Sequence, residues 1–198
     1  MQEIIVLFGK PGAGKGTWLS KFVRGREDRY QVLAVSGLLK KVRNEDSKTG
    51  RIIAAYMDSG ELVPDEIIIQ MVVDEIHKTD KNIIIDGFPR TVAQAKAMLE
   101  AGIRPTCVNE FFATDDVVIK RAKYRVVCEK CGESFTTNSF KPPKEKGICN
   151  NCGGHLIRRK DDDENIVKNR LAVFHKETEP VLDVFTANGI KIVTSFAK

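Results

Sequence analysis

Nine residues near the amino end carry the densest chemistry in the sequence: Gly9-Lys10-Pro11-Gly12-Ala13-Gly14-Lys15-Gly16-Thr17. Four glycines in this span predict a loop whose backbone N–H groups turn inward around an anion without Cβ obstruction. Lys15 adds a mobile ammonium able to reach the terminal phosphates of a nucleoside triphosphate. The preceding run, Ile4-Ile5-Val6-Leu7-Phe8, reads as a fully buried parallel strand. Beyond the loop, Trp18, Leu19, Phe22 and Val23 recur at helical spacing, so a helix N-terminus is expected to face the same phosphates. A glycine-rich turn of the ordinary kind would lack this order of strand, loop and helix.

A second apolar run, Ile83-Ile84-Ile85, ends in Asp86, the expected place for a carboxylate that organises magnesium beside a phosphate loop. A hydrolase would commonly place a glutamate next, as base for water. Here Gly87-Phe88-Pro89-Arg90 follow, which favours transfer to a bound acceptor over hydrolysis. Arg90, at the carboxyl end of a strand, stands where a second phosphate could be clamped bidentately. Arg121 and Arg125 lie four apart, Arg159 precedes Asp161-Asp162, and Arg170 falls on the next helical segment. Any one of these could be a solvated surface cation. Phosphoryl transfer, however, needs several positive groups around the equatorial oxygens and on both substrates.

Four of the five cysteines form two C-x-x-C pairs, Cys128/Cys131 and Cys149/Cys152. Two such knuckles match a tetrahedral structural zinc site with no open coordination position. Iron also takes tetrahedral sulfur, so the choice of metal stays open. His155 could stand in for Cys152, but two symmetric knuckles are simpler. Between the knuckles the sequence is rich in Gly, Pro, Asn and Lys and poor in apolar residues. An inserted subdomain folded by its metal is therefore expected there. The pairing also fits a reducing, cytoplasmic setting, and the fifth, Cys107, reads as a small buried residue.

At 198 residues the chain can bury one good core with an insert. Its formal net charge of +5 suits a protein that handles polyphosphates and is too small to argue for nucleic acid alone. No apolar stretch reaches membrane-spanning length, and Lys10 and the glycines interrupt the first one after five residues. Strand-like runs at 3–8, 31–35, 82–85, 108–112 and 190–193 alternate with helical patterns, predicting a parallel α/β sheet with helices on both faces. Pro64-Asp65-Glu66 opens a helix carrying Ile67, Ile68, Met71, Val72 and Ile76. Thr91 with Gln94 forms a capping-box signature, Gly102 fits just beyond that helix, and a later helix carries Ile166, Val167, Leu171 and Phe174.

Taken together, the phosphate loop, Leu62-Val63-Pro64-Asp65-Glu66, Asp86-Gly87-Phe88-Pro89-Arg90-Thr91, the cysteine knuckles and Arg159-Lys160-Asp161-Asp162 resemble the adenylate kinases, in their bacterial form with a long zinc-bearing lid. The resemblance spans nearly the whole chain. It implies a three-layer P-loop fold with a five-stranded parallel sheet: a core of residues 1–33, 64–123 and 163–198, a mobile helical acceptor-binding arm at 34–63, and a lid at 124–162. It implies the reaction ATP + AMP ⇌ 2 ADP with Mg²⁺, by direct in-line transfer in a monomer. By matching positions, Gly12, Ala13, Gly14, Lys15, Gly16 and Thr17 would hold the donor phosphates. Arg121 would lie against the donor adenine and Arg125 on its phosphates, with Ser134 and Phe135 as lid contacts to the donor nucleoside. Lys40, Arg90, Arg159 and Arg170 would surround the acceptor phosphate and the transferring group. Val35, Glu61, Leu62, Val63, Gly87, Phe88, Pro89 and Gln94 would line the acceptor side. Closure of arm and lid over the substrates would exclude water.

The departures from the family pattern concentrate in the acceptor arm. Val35-Ser36-Gly37 stands where Thr-Gly-Asp is common, and Lys40 keeps the charge of a usual arginine without its planar fork. Tyr124 replaces a glycine at the lid hinge, Val126 the second arginine of a pair, and Trp18 a common glutamine. The last strand is not followed by the usual terminal helix. Two alternatives follow: a monophosphate kinase with another donor or acceptor, such as GTP with AMP, and a nucleotide-gated nucleic-acid binder using the insert as a zinc ribbon. The latter would draw on Lys141, Lys144 and Lys146 near Phe135 and Phe140.

Overall fold

The computed structural model describes residues 2–59, 63–138 and 142–196. Strand β1 (Ile4–Phe8) is buried along its whole length, as a continuous apolar run covered on both faces must be. It lies between β3 (Asn82–Asp86) and β4 (Cys107–Phe112), with β2 (Tyr30–Ala34) and β8 (Lys191–Phe196) at the edges, giving the order β2-β3-β1-β4-β8. Every pairing in this sheet is parallel.

Strand alternation divides the core in two. Ile4, Val6, Phe8, Ile83, Ile85 and Val108 face one way, onto Val72 and Ile76 of α4 (Asp65–His77), Met98 of α5 (Val92–Glu100) and Phe185 of α8 (Val181–Ala187). Ile5, Leu7, Ile84 and Phe111 face the other, onto Trp18, Leu19 and Phe22 of α1 (Lys15–Val23), Val118 and Ala122 of α6 (Asp115–Tyr124), and Val167 and Leu171 of α7 (Glu164–Val173). The expected α/β layering with five parallel strands is therefore present. No described helix is long and apolar enough to cross a membrane.

Two excursions leave this core. After β2 come α2 (Val35–Arg43) and α3 (Lys48–Ser59), which pack on each other. After α6 the chain passes directly into β5 (Arg125–Cys128), which pairs antiparallel with β6 (Ser134–Thr136) and β7 (Leu156–Ile157) in a separate three-stranded sheet. Cys128, Phe135 and Cys149 form that sheet's small buried cluster.

Several local expectations need adjustment. Asp161 and Asp162 lie in a 3₁₀ turn before α7, which Asp163 caps by accepting from the Asn165 N–H. Ile166 is exposed, since the buried stripe of α7 runs through Val167 and Leu171. Cys107 is half-buried rather than enclosed, and burial raises its thiol above the ordinary range.

Candidate active site

The phosphate loop follows β1, and the register Leu7↔Asp86 sets Asp86 beside it at the same end of the sheet. Gly9, Gly12 and Gly14 have φ of 133°, 83° and 113°, conformations that side chains resist. Gly9 is doubly constrained, because a Cβ there would sit 2.4 Å from the Phe111 carbonyl oxygen. The fourth glycine differs. Gly16 lies in α1 with nothing close to the position of a Cβ, so three glycines shape the loop. Gly14 serves as the N-cap of α1, whose first residue is Lys15.

Lys15 directs its Nζ back along the loop, donating to the Gly9 and Lys10 carbonyls at 2.5 and 2.9 Å. The residue keeps some exposed surface, but its ammonium is enclosed, and this desolvation pushes it down to about 8. Asp86 opposes the fall, whereas the charges of Arg90, Arg170 and Arg125 deepen it. Residues 15, 86, 90, 125 and 170, far apart in sequence, therefore share one electrostatic neighbourhood.

Arginines frame the loop. Arg121 Nη1 donates to Ala13 O at 3.2 Å and Gly12 O at 3.4 Å. Arg125 approaches Gly12 as well, with Nη1 3.9 Å from where its Cβ would be, and donates through Nε to Asp162 Oδ2 at 2.8 Å. A second Arg125 bond reaches Asp162 Oδ1, making the pair bidentate, and Asp162 is fully buried. Arg159 grips Asp161 with two bonds of 2.8 and 2.6 Å, and Arg170 adds one of 2.8 Å. Burial alone would raise the Asp161 carboxyl, but these bonds and charges outweigh it and hold the group below its ordinary value. Arg90 keeps exposed surface, yet its guanidinium is packed closely enough that desolvation and the Arg170 charge both lower it. Its Nε donates to Gly87 O at 2.9 Å.

The expected acceptor residues divide. Lys40 is exposed on α2, whereas the side chain of Val35 belongs to the apolar core. Val63, Phe88 and Pro89 are buried, and Gly87 is half-buried next to Arg90. Glu61 and Leu62 lie outside the described residues, as do Phe140 and Lys141. Gln94 is almost completely enclosed. The capping box around it is half realised: Thr91 Oγ1 accepts from Gln94 N, but the Gln94 side chain accepts from Arg90 N rather than from Thr91. Of the two residues expected to contact the donor nucleoside, Ser134 is half-buried and the Phe135 ring is enclosed in the small cluster of the three-stranded sheet.

The four knuckle cysteines bring their Sγ atoms within 4.8 Å of one another. Such a sulfur cage fits a tetrahedral metal. Gly154 makes room for it, since a Cβ there would meet Cys128 Sγ at 2.9 Å. Among the described residues His155 does not join the cluster; it forms a backbone bridge with Ile148.

Residue order gives little sign of one further group. Lys10 Nζ bonds Asp115 at 2.5 Å, Asp115 bonds His175 at 3.1 Å, and His175 bonds Glu179 at 2.8 Å, tying the loop to the N-terminus of α6 and to the π-helical turn Phe174–Thr178. Glu179 and Asp115 together raise His175, and Lys10 and His175 lower Asp115.

The sequence profile of the adenylate kinase family matches residues 7–190. The chain belongs to the adenylate kinase family. Relatives named adenylate kinase include one from Caldicellulosiruptor bescii, 40% identical over 201 residues, the match covering 96% of this chain and 89% of that protein. Another, from Methanosarcina barkeri, is 39% identical over 202 residues, covering 98% and 91%. One from Streptomyces avermitilis is 36% identical over 197 residues, covering 96% and 89%. As a member of the adenylate kinase family the protein is a phosphotransferase, catalysing transfer between ATP and AMP.

Proposed function

We propose that this chain moves the γ-phosphoryl group of ATP directly to the phosphate of AMP, held between residues 12–17, which span the loop and the first turn of α1, and the arginines at 90, 125, 159 and 170. An AMP phosphate oxygen attacks the γ-phosphorus, the bond from γ-phosphorus to the β,γ-bridging oxygen breaks, and two ADP result. The observation that carries this reading is the neighbourhood of Lys15, where Arg90, Arg125 and Arg170 crowd an already desolvated ammonium. Cations accumulated against their own repulsion match a site for spread negative charge. Lys15 would bridge the donor phosphates as charge develops, and Arg121 would support the donor base. Arg90 and Lys40 would orient the acceptor phosphate, and Gln94 its base. Asp86, beside Lys15 at the end of β3, suits a magnesium ion held largely through water; when bound, the ion neutralises phosphate charge.

The division into a core, an acceptor arm at 34–63 and a lid at 124–162 belongs to the same proposal, as does zinc in the cysteine cage. The separate lid sheet and its small apolar cluster support it, because so little core leaves metal binding as a main source of the lid's stability. Four thiolates held by a metal fit a reducing compartment, and we place the enzyme in the cytoplasm as a monomer.

The test incubates the purified protein with Mg·ATP and each nucleoside monophosphate in turn and follows diphosphate formation by chromatography. ADP forming from ATP and AMP together is the expected result. Release of inorganic phosphate from ATP alone, with no diphosphate from any acceptor, would overturn it. Salt-dependent binding to DNA or RNA without ADP formation would instead favour the zinc-ribbon reading.

A further inference from the structure

The Gln94 carboxamide is held from two sides by partners that leave it no choice of orientation. On one side the Arg90 backbone N–H donates to Gln94 Oε1 at 2.7 Å. On the other Gln94 Nε2 donates to Asp65 Oδ1 at 2.7 Å. A backbone N–H can only donate, and a carboxylate only accepts, so oxygen must face Arg90 and nitrogen must face Asp65. The second carboxylate oxygen, Asp65 Oδ2, accepts from Thr91 Oγ1 at 2.9 Å, and that hydroxyl accepts in turn from Gln94 N at 3.1 Å. Both oxygens of Asp65 are thus engaged, and the carboxylate cannot rotate without losing a bond. Gln94 is 3% exposed, so water offers no replacement partner if the amide turns over.

An amide carbonyl has two lone pairs and an amide nitrogen two hydrogens, so each end of Gln94 retains one further hydrogen-bonding position. The locked amide therefore offers one acceptor and one donor in a fixed order. Adenine presents the complementary pair, a 6-amino donor beside a ring-nitrogen acceptor. A 6-oxopurine presents an acceptor at position 6 and, on its Watson–Crick edge, a donor at N1, and would need the amide reversed. Sites built on a fixed polar pattern reject the wrong pattern strongly, because their groups are left unpaired.

We propose that Asp65 is a positioning residue that locks the Gln94 amide in one orientation and so sets the acceptor site for a 6-aminopurine against a 6-oxopurine. This rests on the reading that Gln94 meets the acceptor base. Asp65 itself need touch neither substrate. It fixes the amide through one oxygen and the cap residue Thr91 through the other, joining the first turn of α4 to the start of α5.

The test compares Asp65→Asn with Gln94→Leu and the parent enzyme, using AMP and IMP as acceptors and Mg·ATP as donor. The carboxamide introduced by Asp65→Asn can itself turn over and receive either end of Gln94, so the Asp65 half of the lock opens while volume is kept, leaving the Arg90 N–H alone to favour the original orientation. The expected result for Asp65→Asn is a fall of about tenfold or more in the AMP-to-IMP ratio of kcat/KM, the size of one hydrogen-bond mismatch. The fall should lie mainly in the acceptor KM, with the KM for ATP unchanged. Gln94→Leu should raise the KM for AMP and also lower the ratio. If Gln94→Leu leaves the KM for AMP unchanged, the assignment of Gln94 to the base fails, and the lock with it. If Gln94→Leu acts as expected but Asp65→Asn keeps the AMP-to-IMP ratio, even with a raised KM, then Asp65 is merely structural and the proposal is wrong. Should Asp65→Asn not yield folded protein, Asp65→Ser carries the same prediction with the same readout.

Discussion

Replacing Lys15 with methionine separates what the site does from what it costs. The ammonium is depressed from 10.5 to about 8, which at 1.36 kcal/mol per pH unit places its charged form roughly 3 kcal/mol above its reference in the unfolded chain. Between pH 8 and 10.5 the unfolded chain holds more protons at this position than the folded one, so stability rises with pH there. Below pH 8 the whole penalty is present. Methionine keeps the stem, removes the charge, and forfeits the bonds to Gly9 O and Lys10 O, worth about 1 kcal/mol each. A neutral amine still donates, so that loss does not vary with pH in this range. Urea denaturation of both proteins at steps from pH 7 to 10.5 isolates the charge, since all other titrations are common to the pair. The stability of Lys15→Met relative to the parent should be highest at pH 7 and decline by about 3 kcal/mol by pH 10.5. Turnover at pH 7 should meanwhile drop roughly 10²- to 10³-fold, as expected when a transition-state charge partner is removed. Parallel stability curves, or near-parental kcat in folded Lys15→Met, would refute the picture of a desolvated cation held for phosphoryl transfer.

Other perturbations address the surroundings. Asp162→Ala strands Arg125 beside the loop and should cost about 3 kcal/mol in urea denaturation, with Asp162→Asn less damaging. Cys149→Ser should abolish stoichiometric metal binding in elemental analysis and hasten proteolysis within 124–162, while the parallel-sheet core stays protected. His175 is raised by Glu179 and Asp115, so its contribution is complete below pH 6.5 and fades as pH climbs through the raised value. His175→Gln should remove that slope from a plot of stability against pH, and an unchanged slope would dismiss the network of Lys10, Asp115, His175 and Glu179.

What the sequence makes legible is mostly local. The strand, loop and helix from Ile4 to Val23 follow from apolar runs and glycines acting over a few residues, and the parallel sheet follows from their alternation. Gly16 falls outside the loop it was expected to shape, because composition does not distinguish a glycine that turns the backbone from one inside a helix. The Thr91–Gln94 pair reads as a cap, but the Gln94 oxygen accepts from Arg90 N instead of Thr91 N, and its nitrogen is held by Asp65, 29 residues away in sequence. Val35 is expected among the acceptor contacts, yet its side chain enters the core because an apolar group at the start of α2, just past β2, gains more from burial. Nothing in residue order pairs Lys10 with Asp115, 105 residues on, or Arg125 with Asp162. Such long-range ion pairs depend on how layers stack, which periodicity does not encode.

Asp161 and Asp162 give the 3₁₀ turn ahead of α7 a chemical consequence. Two neighbouring carboxylates hold three guanidiniums, those of Arg125, Arg159 and Arg170. A phosphate drawing on those arginines exchanges one anion for another instead of filling bare charge, so its net gain is a difference between two strong terms. In the proposed reaction, the same exchange run backwards would give the arginines somewhere to go when ADP departs. An enzyme that must let go of two polyanions in every cycle is served by tethered rivals that keep its grip moderate.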